Sequence, residues 1–252
     1  MKLLICSLAL LAGYQEAVRL AEAHGTMIDP VSRNSLWRID QTAPVNYNDI
    51  ELFCGGIGVL SANGNRCGVC GDPYPAPRPR AHETGGHMVM NKTVKNYFPG
   101  STIDVMIDLD TNHGGYFQFE LCRRESLDEM EQEECFERLR FVDGTYRKQL
   151  QTDHSAHGLM GMSLMMPDDL RECRACILRW NYVAGNNWGI CPDGTAGTGC
   201  GPQELYRNCA DISIGYLNYF KSSDSDNLQP ANRLSFASSQ VRPIQSNDVE
   251  SA

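Results

Sequence analysis

The chain has 252 residues, 42% of them hydrophobic, which is enough for a real core in one large or two small domains. Its formal net charge is −9, and 31 acidic against 22 basic side chains exclude nucleic acid or an anionic membrane as the main partner. The 23 glycines and 12 prolines imply many turns.

Residues 1–23 read as a secretory signal peptide, with Lys2 as the basic start, 3–12 (LLICSLALLA) as the apolar core and Ala21-Glu22-Ala23 as a small-x-small cleavage site. The apolar run falls short of the roughly 20 residues that span a bilayer, so it reads as a leader rather than an anchor. Cleavage after Ala23 makes His24 the first residue, with two nitrogen donors: its free α-amine and its imidazole. That amine has an ordinary pKa near 8, so a metal ion displaces its proton at neutral pH.

Of 11 cysteines, Cys6 leaves with the leader, and Cys54, Cys67, Cys70, Cys122, Cys135, Cys173, Cys176, Cys191, Cys200 and Cys209 remain. An even set in a secreted chain implies up to five disulfides. The pairs Cys67/Cys70 and Cys173/Cys176 have the spacing of half zinc sites, but zinc ribbons hold their halves about 15–20 residues apart and these are far more distant. Spacing leaves the connectivity open, with Cys191–Cys200 the easiest local pair. Asn91-Lys92-Thr93 is a glycosylation acceptor and suits the surface.

From His24 to about Arg80 the chain is turn-rich, with one short strand and then a long loop region stapled by Cys54, Cys67 and Cys70. The run 73–80 (PYPAPRPR) is expected to be extended, since each proline fixes φ and restricts its predecessor. His82 and His87 lie five apart around a Gly pair, which breaks the helix a zinc-protease motif needs. In 101–111, Ile103, Val105, Ile107 and Leu109 alternate with polar positions, as in a half-buried strand. A turn at 112–115 and a second alternating run at 116–122 predict a hairpin with His113 at its solvent-open tip. The charged stretch 124–139 predicts a short solvated helix or a loop, and His154 and His157 sit in a polar stretch as solvated groups. In 176–183, Leu178, Trp180 and Tyr182 share one face, and 211–217 offers Ile212 and Ile214. Trp37, Trp180 and Trp188 are assigned to the core.

These elements predict an all-β protein: a single immunoglobulin/fibronectin-like antiparallel β-sandwich over 24–221, with long disulfide-stapled loops. Residues 222–252, rich in Ser and Asn, predict a disordered tail. No nucleophile elbow, phosphate loop or dinucleotide fingerprint is present.

The AHG that follows the leader, 83–86 (ETGG), 111–122 (TNHGGYFQFELC) and 176–214 (CILRWNYVAGNNWGICPDGTAGTGCGPQELYRNCADISI) resemble the animal-type lytic polysaccharide monooxygenases of auxiliary activity family fifteen, relatives of the chitin-binding type-four proteins. The resemblance runs from about His24 to Tyr219, and its specificity lies in the order and combination of the motifs. It implies a secreted enzyme with one copper ion, held in a "histidine brace" by His24, through amine and imidazole, and by His113. Copper favours such a tetragonal nitrogen set. It further implies Tyr206 on the axial side as a weak ligand. Glu204, two residues before Tyr206 and on the same face by strand alternation, would orient an oxygen species. Glu83 is a further candidate for that role. Thr111 stands where relatives often carry alanine, which changes the open axial side. In 46–48 (NYN), Tyr47 is the candidate sugar-stacking residue. The implied substrate is an insoluble polysaccharide, chitin first and cellulose second, cleaved oxidatively at C1. O2 or H2O2 and a small-molecule or protein reductant are the co-reactants, and the enzyme is a monomer with no membrane or nucleic-acid partner. The competing readings are a non-catalytic chitin-binding or copper-handling protein on the same fold, and a disulfide-rich matrix protein.

Overall fold

The computed structural model describes residues 24–151 and 157–216; the leader, His154 and the tail lie outside the described residues. β3 (Thr102–Thr111) carries the alternation that the sequence announces, burying Ile103, Val105, Ile107 and Leu109 while its other face stays wet. It pairs antiparallel with β1 (His24–Asp29) on one side and β7 (Gly158–Met165) on the other, forming a three-stranded sheet.

A second sheet runs in the order β2 (Lys95–Tyr97), β11 (Leu205–Ile214), β8 (Cys173–Val183), β4 (Gly115–Cys122), β5 (Phe136–Arg138), with β6 (Lys148–Leu150) also paired to β4. Met27, Ile107 and Leu109 from the first sheet share one buried cluster with Phe117, Trp180, Tyr182, Tyr206 and Ile212 from the second. The molecule is therefore mostly β-strand with its core between two sheets. Phe117 meets Trp180 edge-on at 5.3 Å, the arrangement in which aromatic pairs attract.

The expected hairpin does not form. β3 and β4 belong to different sheets, so the turn carrying His113 crosses the core rather than closing a ladder. Gly114 and Gly115 make the crossing feasible, with φ of 67° and 80°. A side chain on Gly115 would put its Cβ 2.0 Å from the Val183 carbonyl.

β4 and β8 are buried on both faces, unlike the half-wet strands that alternation suggests. Their outer faces carry Gln118, Glu120, Arg179 and Asn181, covered by the loop region. Arg179 pairs with Glu120 at 2.6 Å and with Glu133 at 2.8 Å beneath that cover. The Cys70–Cys209 disulfide ties the cover to β11, and the other pairs are Cys54–Cys67, Cys122–Cys135, Cys173–Cys176 and Cys191–Cys200.

Of the two alternatives for the charged stretch 124–139 the loop is found rather than the helix, because Arg124 and Glu131 are drawn into a buried cluster with Arg33 and Asp211, leaving one 3-10 turn and β5. Three further expectations are corrected. The proline run 73–80 is not fully extended; Ala76 N–H donates to the Pro73 carbonyl and closes a turn. Trp188 is 70% exposed, on the ribbon of β9 (Trp188–Ile190) and β10 (Ala196–Thr198), because that ribbon packs in neither sheet. Trp37 is only half-buried, its indole N–H held by Asp49. A short α1 (Gly56–Ala62), which no periodic pattern announced, buries only Leu60.

Candidate metal centre

His24 opens β1 and lies opposite Thr111, the last residue of β3. Directly opposed residues in an antiparallel pair have Cα atoms about 4.5–5.5 Å apart. His113 follows two residues later, so both candidate histidines sit at the same end of the sandwich. Gly25 N–H donates to the Ile50 carbonyl at 3.0 Å, which draws residues 48–51 alongside. Glu51 Oε1 then lies 2.8 Å from His24 Nε2, and Glu51 Oε2 accepts the Asn48 side-chain amide at 2.5 Å.

The backbone at His113 is fixed on both sides. Its N–H donates to the Tyr182 hydroxyl at 2.8 Å, and its carbonyl accepts the Gly185 N–H at 3.1 Å. Asn112 Oδ1 accepts the Gly114 N–H while its amide donates to the Gln151 carbonyl, locking the turn. The ring places Nδ1 2.8 Å from the Asn186 side-chain amide. His113 is 5% exposed, so the solvent-open tip expected from the sequence is corrected: the crossing turn and the 185–186 segment enclose it.

Tyr206 lies opposite Tyr182 in the β11–β8 pairing, with ring centroids 5.7 Å apart, and Phe53 stacks on it at 5.7 Å. It has no exposed surface. The Tyr182 phenol is pushed up to about 12 by burial, with the Glu204 charge adding to it and the His113 N–H bond opposing, so it remains a neutral hydroxyl at physiological pH. Glu204 is buried, and its carbonyl accepts the Ala184 N–H. Thr111 is half-exposed beside His24.

Glu83 is not brought here. It is fully buried, bonded to Arg78, Arg80 and the Val69 N–H, and its neighbour Thr84 bonds Arg33 beside Asp211. Asp211 is five positions along β11 from Tyr206, about 16 Å at 3.3 Å per residue. Burial alone would raise the Glu83 carboxyl, but Arg78, Arg80 and the Val69 N–H outweigh it and hold it below the usual range. His82 pairs with Asp72 at 2.8 Å in a run of turns, and His87 is exposed. Tyr47 is 87% exposed and meets Trp37 edge-on at 5.3 Å. Sequence reasoning missed Glu51, Tyr182 and Asn186 as neighbours of the histidines, and Phe53 as the ring stacked on Tyr206. Asn186 stands in the AGNNWG run and could have been flagged there, whereas Glu51 arrives through a long-range backbone contact that no local pattern signals.

The family described as "lytic polysaccharide mono-oxygenase, cellulose-degrading" matches residues 24–212. Among solved structures, the chain is similar to a lytic polysaccharide monooxygenase AA15 from Thermobia domestica in the Cu(I) state. The two are 43% identical with a TM-score of 0.73, over 76% of this chain and 99% of that one. The chain belongs to the AA15 lytic polysaccharide monooxygenases. No curated protein sequence matches it. As a lytic polysaccharide monooxygenase it is a copper-dependent oxidoreductase that uses one copper ion and acts on insoluble polysaccharide with a reductant.

The residues of this monooxygenase fit that ion. Among the described residues no three or more His, Cys, Asp or Glu side chains converge, so the two imidazoles need a further donor from elsewhere. Were the chain cleaved after Ala23, the α-nitrogen of His24 would supply it, because it would close a chelate ring with Nδ1 of the same residue. Glu51 engages Nε2, the nitrogen that could not close such a ring. Nitrogen donors of this kind suit copper.

Proposed function

We propose that this monooxygenase is secreted, loses residues 1–23, and holds copper through the α-amine and Nδ1 of His24 and the Nε2 of His113. Tyr206 would stand beside that ion as a weak contact. The observation that carries the reading is the β1–β3 register, which sets His24 opposite Thr111 and next to the crossing turn, with Glu51 on His24 Nε2. When bound, copper cycled by an external reductant supplies the oxidation, with O2 or H2O2 as co-substrate, that breaks the glycosidic link at C1.

The remaining roles fall to side chains. Tyr206, packed between Phe53 and Tyr182, would keep water from the ion on its side. Tyr182 holds the His113 backbone with a neutral hydroxyl. Glu204 orients a polar co-substrate from the same cluster, and Thr111 makes the opposite side more polar than an alanine would. Tyr47 offers an exposed ring on which a sugar face can stack. Chitin is the proposed substrate. Cellulose is the second, because the matched family's description names it. We also assign residues 24–221 to an immunoglobulin/fibronectin-like sandwich, 222–252 to a tail, the exposed Asn91 to glycosylation, and the protein to a monomeric state.

The test is the secreted, processed protein loaded with copper and given ascorbate with β-chitin or cellulose, read by mass spectrometry. Oligosaccharides heavier by one oxygen, absent from His113→Ala, are the expected outcome, and fragmentation assigns the carbon. Tight one-to-one copper binding with no product on either polymer would replace the enzyme with a binding protein.

A further inference from the structure

In the proposed centre each imidazole meets copper through one nitrogen, and the structure places a named partner on the other. Glu51 Oε1 is 2.8 Å from His24 Nε2, and the Asn186 amide is 2.8 Å from His113 Nδ1. We propose that Glu51 and Asn186 are positioning residues that hold the two imidazoles by their outer nitrogens: Glu51 selects the tautomer of His24, and Asn186 anchors the His113 ring while accepting from Nδ1–H once its amide turns. The proposal rests on the ligand set given under the proposed function.

At His24, only Nδ1 can close a ring with the α-nitrogen, so Nε2 must carry the hydrogen. An ionised carboxylate only accepts, and so selects that tautomer. Glu51 is itself aimed: Asn48 holds its second oxygen, and the Ile50 carbonyl bonds Gly25, the residue next to His24. The carboxylate also makes the imidazole a stronger donor, which favours Cu(II) over Cu(I).

At His113 the backbone is fixed by Tyr182 and Gly185, and Nδ1 faces Asn186. The amide nitrogen faces the ring in the structure, but a half-turn of the side chain puts the amide oxygen in the same place. Only the oxygen leaves the hydrogen on Nδ1 and a lone pair on Nε2. Copper loading therefore selects the turned amide. Asn186 is held for this by its neighbours: Gly185 bonds His113, Asn187 N–H bonds Gln203, and the Asn187 carbonyl bonds Gly199 on the ribbon closed by Cys191–Cys200.

The experiment uses the processed chain and titrates Cu(II) by calorimetry. It also records the EPR spectrum of the Cu(II) form and its reduction potential, with circular dichroism confirming the fold. Wild type binding one copper tightly with a nitrogen-rich spectrum upholds the ligand set; failure there sinks the ligand set itself. Given that, Glu51→Leu is expected to lose ten- to a hundredfold in affinity, the usual range for an outer partner of a metal-bound histidine. Glu51→Gln, still an acceptor, is expected to bind within a few-fold of wild type but at a higher reduction potential. Asn186→Leu is expected to lose about tenfold, and Asn186→Asp, which can only accept from Nδ1–H, to restore affinity and spectrum. Leu variants indistinguishable from a tight-binding wild type would overturn the proposal, and so would an Asn186→Asp as impaired as Asn186→Leu.

Discussion

His113 illustrates how much a single position depends on what surrounds it. Its backbone bonds to Tyr182 and Gly185 use no ring atom, so His113→Ala is expected to remain folded while losing tight copper binding. Tyr47 makes the contrasting case: with its ring 87% exposed and its one aromatic contact to Trp37, Tyr47→Ala is expected to leave copper affinity unchanged. It should weaken retention on chitin by up to about tenfold, the worth of one aromatic stacking contact, and a pull-down with calorimetry on the same sample checks both halves. At this scale the sequence points to His24 through the cleavage site and to His113 and Tyr206 through the order and combination of the family's motifs; in the structure His24 lies opposite Thr111 beside the His113 turn, and Tyr182 links that turn to Tyr206. Glu51 was illegible because nothing local brings it to His24; a backbone contact across Gly25 and Ile50 does.

Among elements, alternation identifies the buried face of β3 but not the strand beside it. A period of two says which side chains point inward, and it is blind to whether the next strand continues the same sheet. That is why a hairpin was expected where the chain crosses between sheets. The outer faces of β4 and β8 were hidden for a related reason: a distant loop region covers Gln118, Glu120, Arg179 and Asn181, and their polarity reads as exposure. The crossing depends on Gly115, whose φ of 80° and contact with the Val183 carbonyl leave no room for a side chain. Gly115→Ala is expected to destabilise the fold by about 2–4 kcal/mol in urea denaturation, from left-handed strain plus overpacking, and to weaken copper binding as well.

Over the whole molecule, the loop cover is held to the six-stranded sheet by buried ions rather than by apolar packing alone. Arg33 and Arg124 share Asp211 and Glu131, while Arg78 and Arg80 share Glu83. Glu83 and Asp72 keep their carboxyls below the ordinary range despite burial, through Arg78 and Arg80 for Glu83 and His82 for Asp72, and the exposed Glu133 is lowered by Arg179 and Arg207. A carboxyl depressed in the folded state adds stability above its unfolded pKa, about 4, and loses it as pH falls through the lower folded value. The melting temperature is therefore expected to be flat between about pH 5 and 7 and to fall steeply below about pH 4. Glu83→Gln should start lower and decline less steeply. An identical slope in the variant would remove Glu83 from the acid response.

The crossing turn also bears on how the protein fails. A ligand on a true hairpin tip can fray by itself, since nothing else must open with it. Here the His113 amide is bonded into β8 while the chain on either side of it enters a different sheet. Exposing that amide to solvent exchange requires the two sheets to part, which is global unfolding. His113 therefore has no private route to disassembly, and on warming its side of the proposed centre would be released only as the fold itself melts.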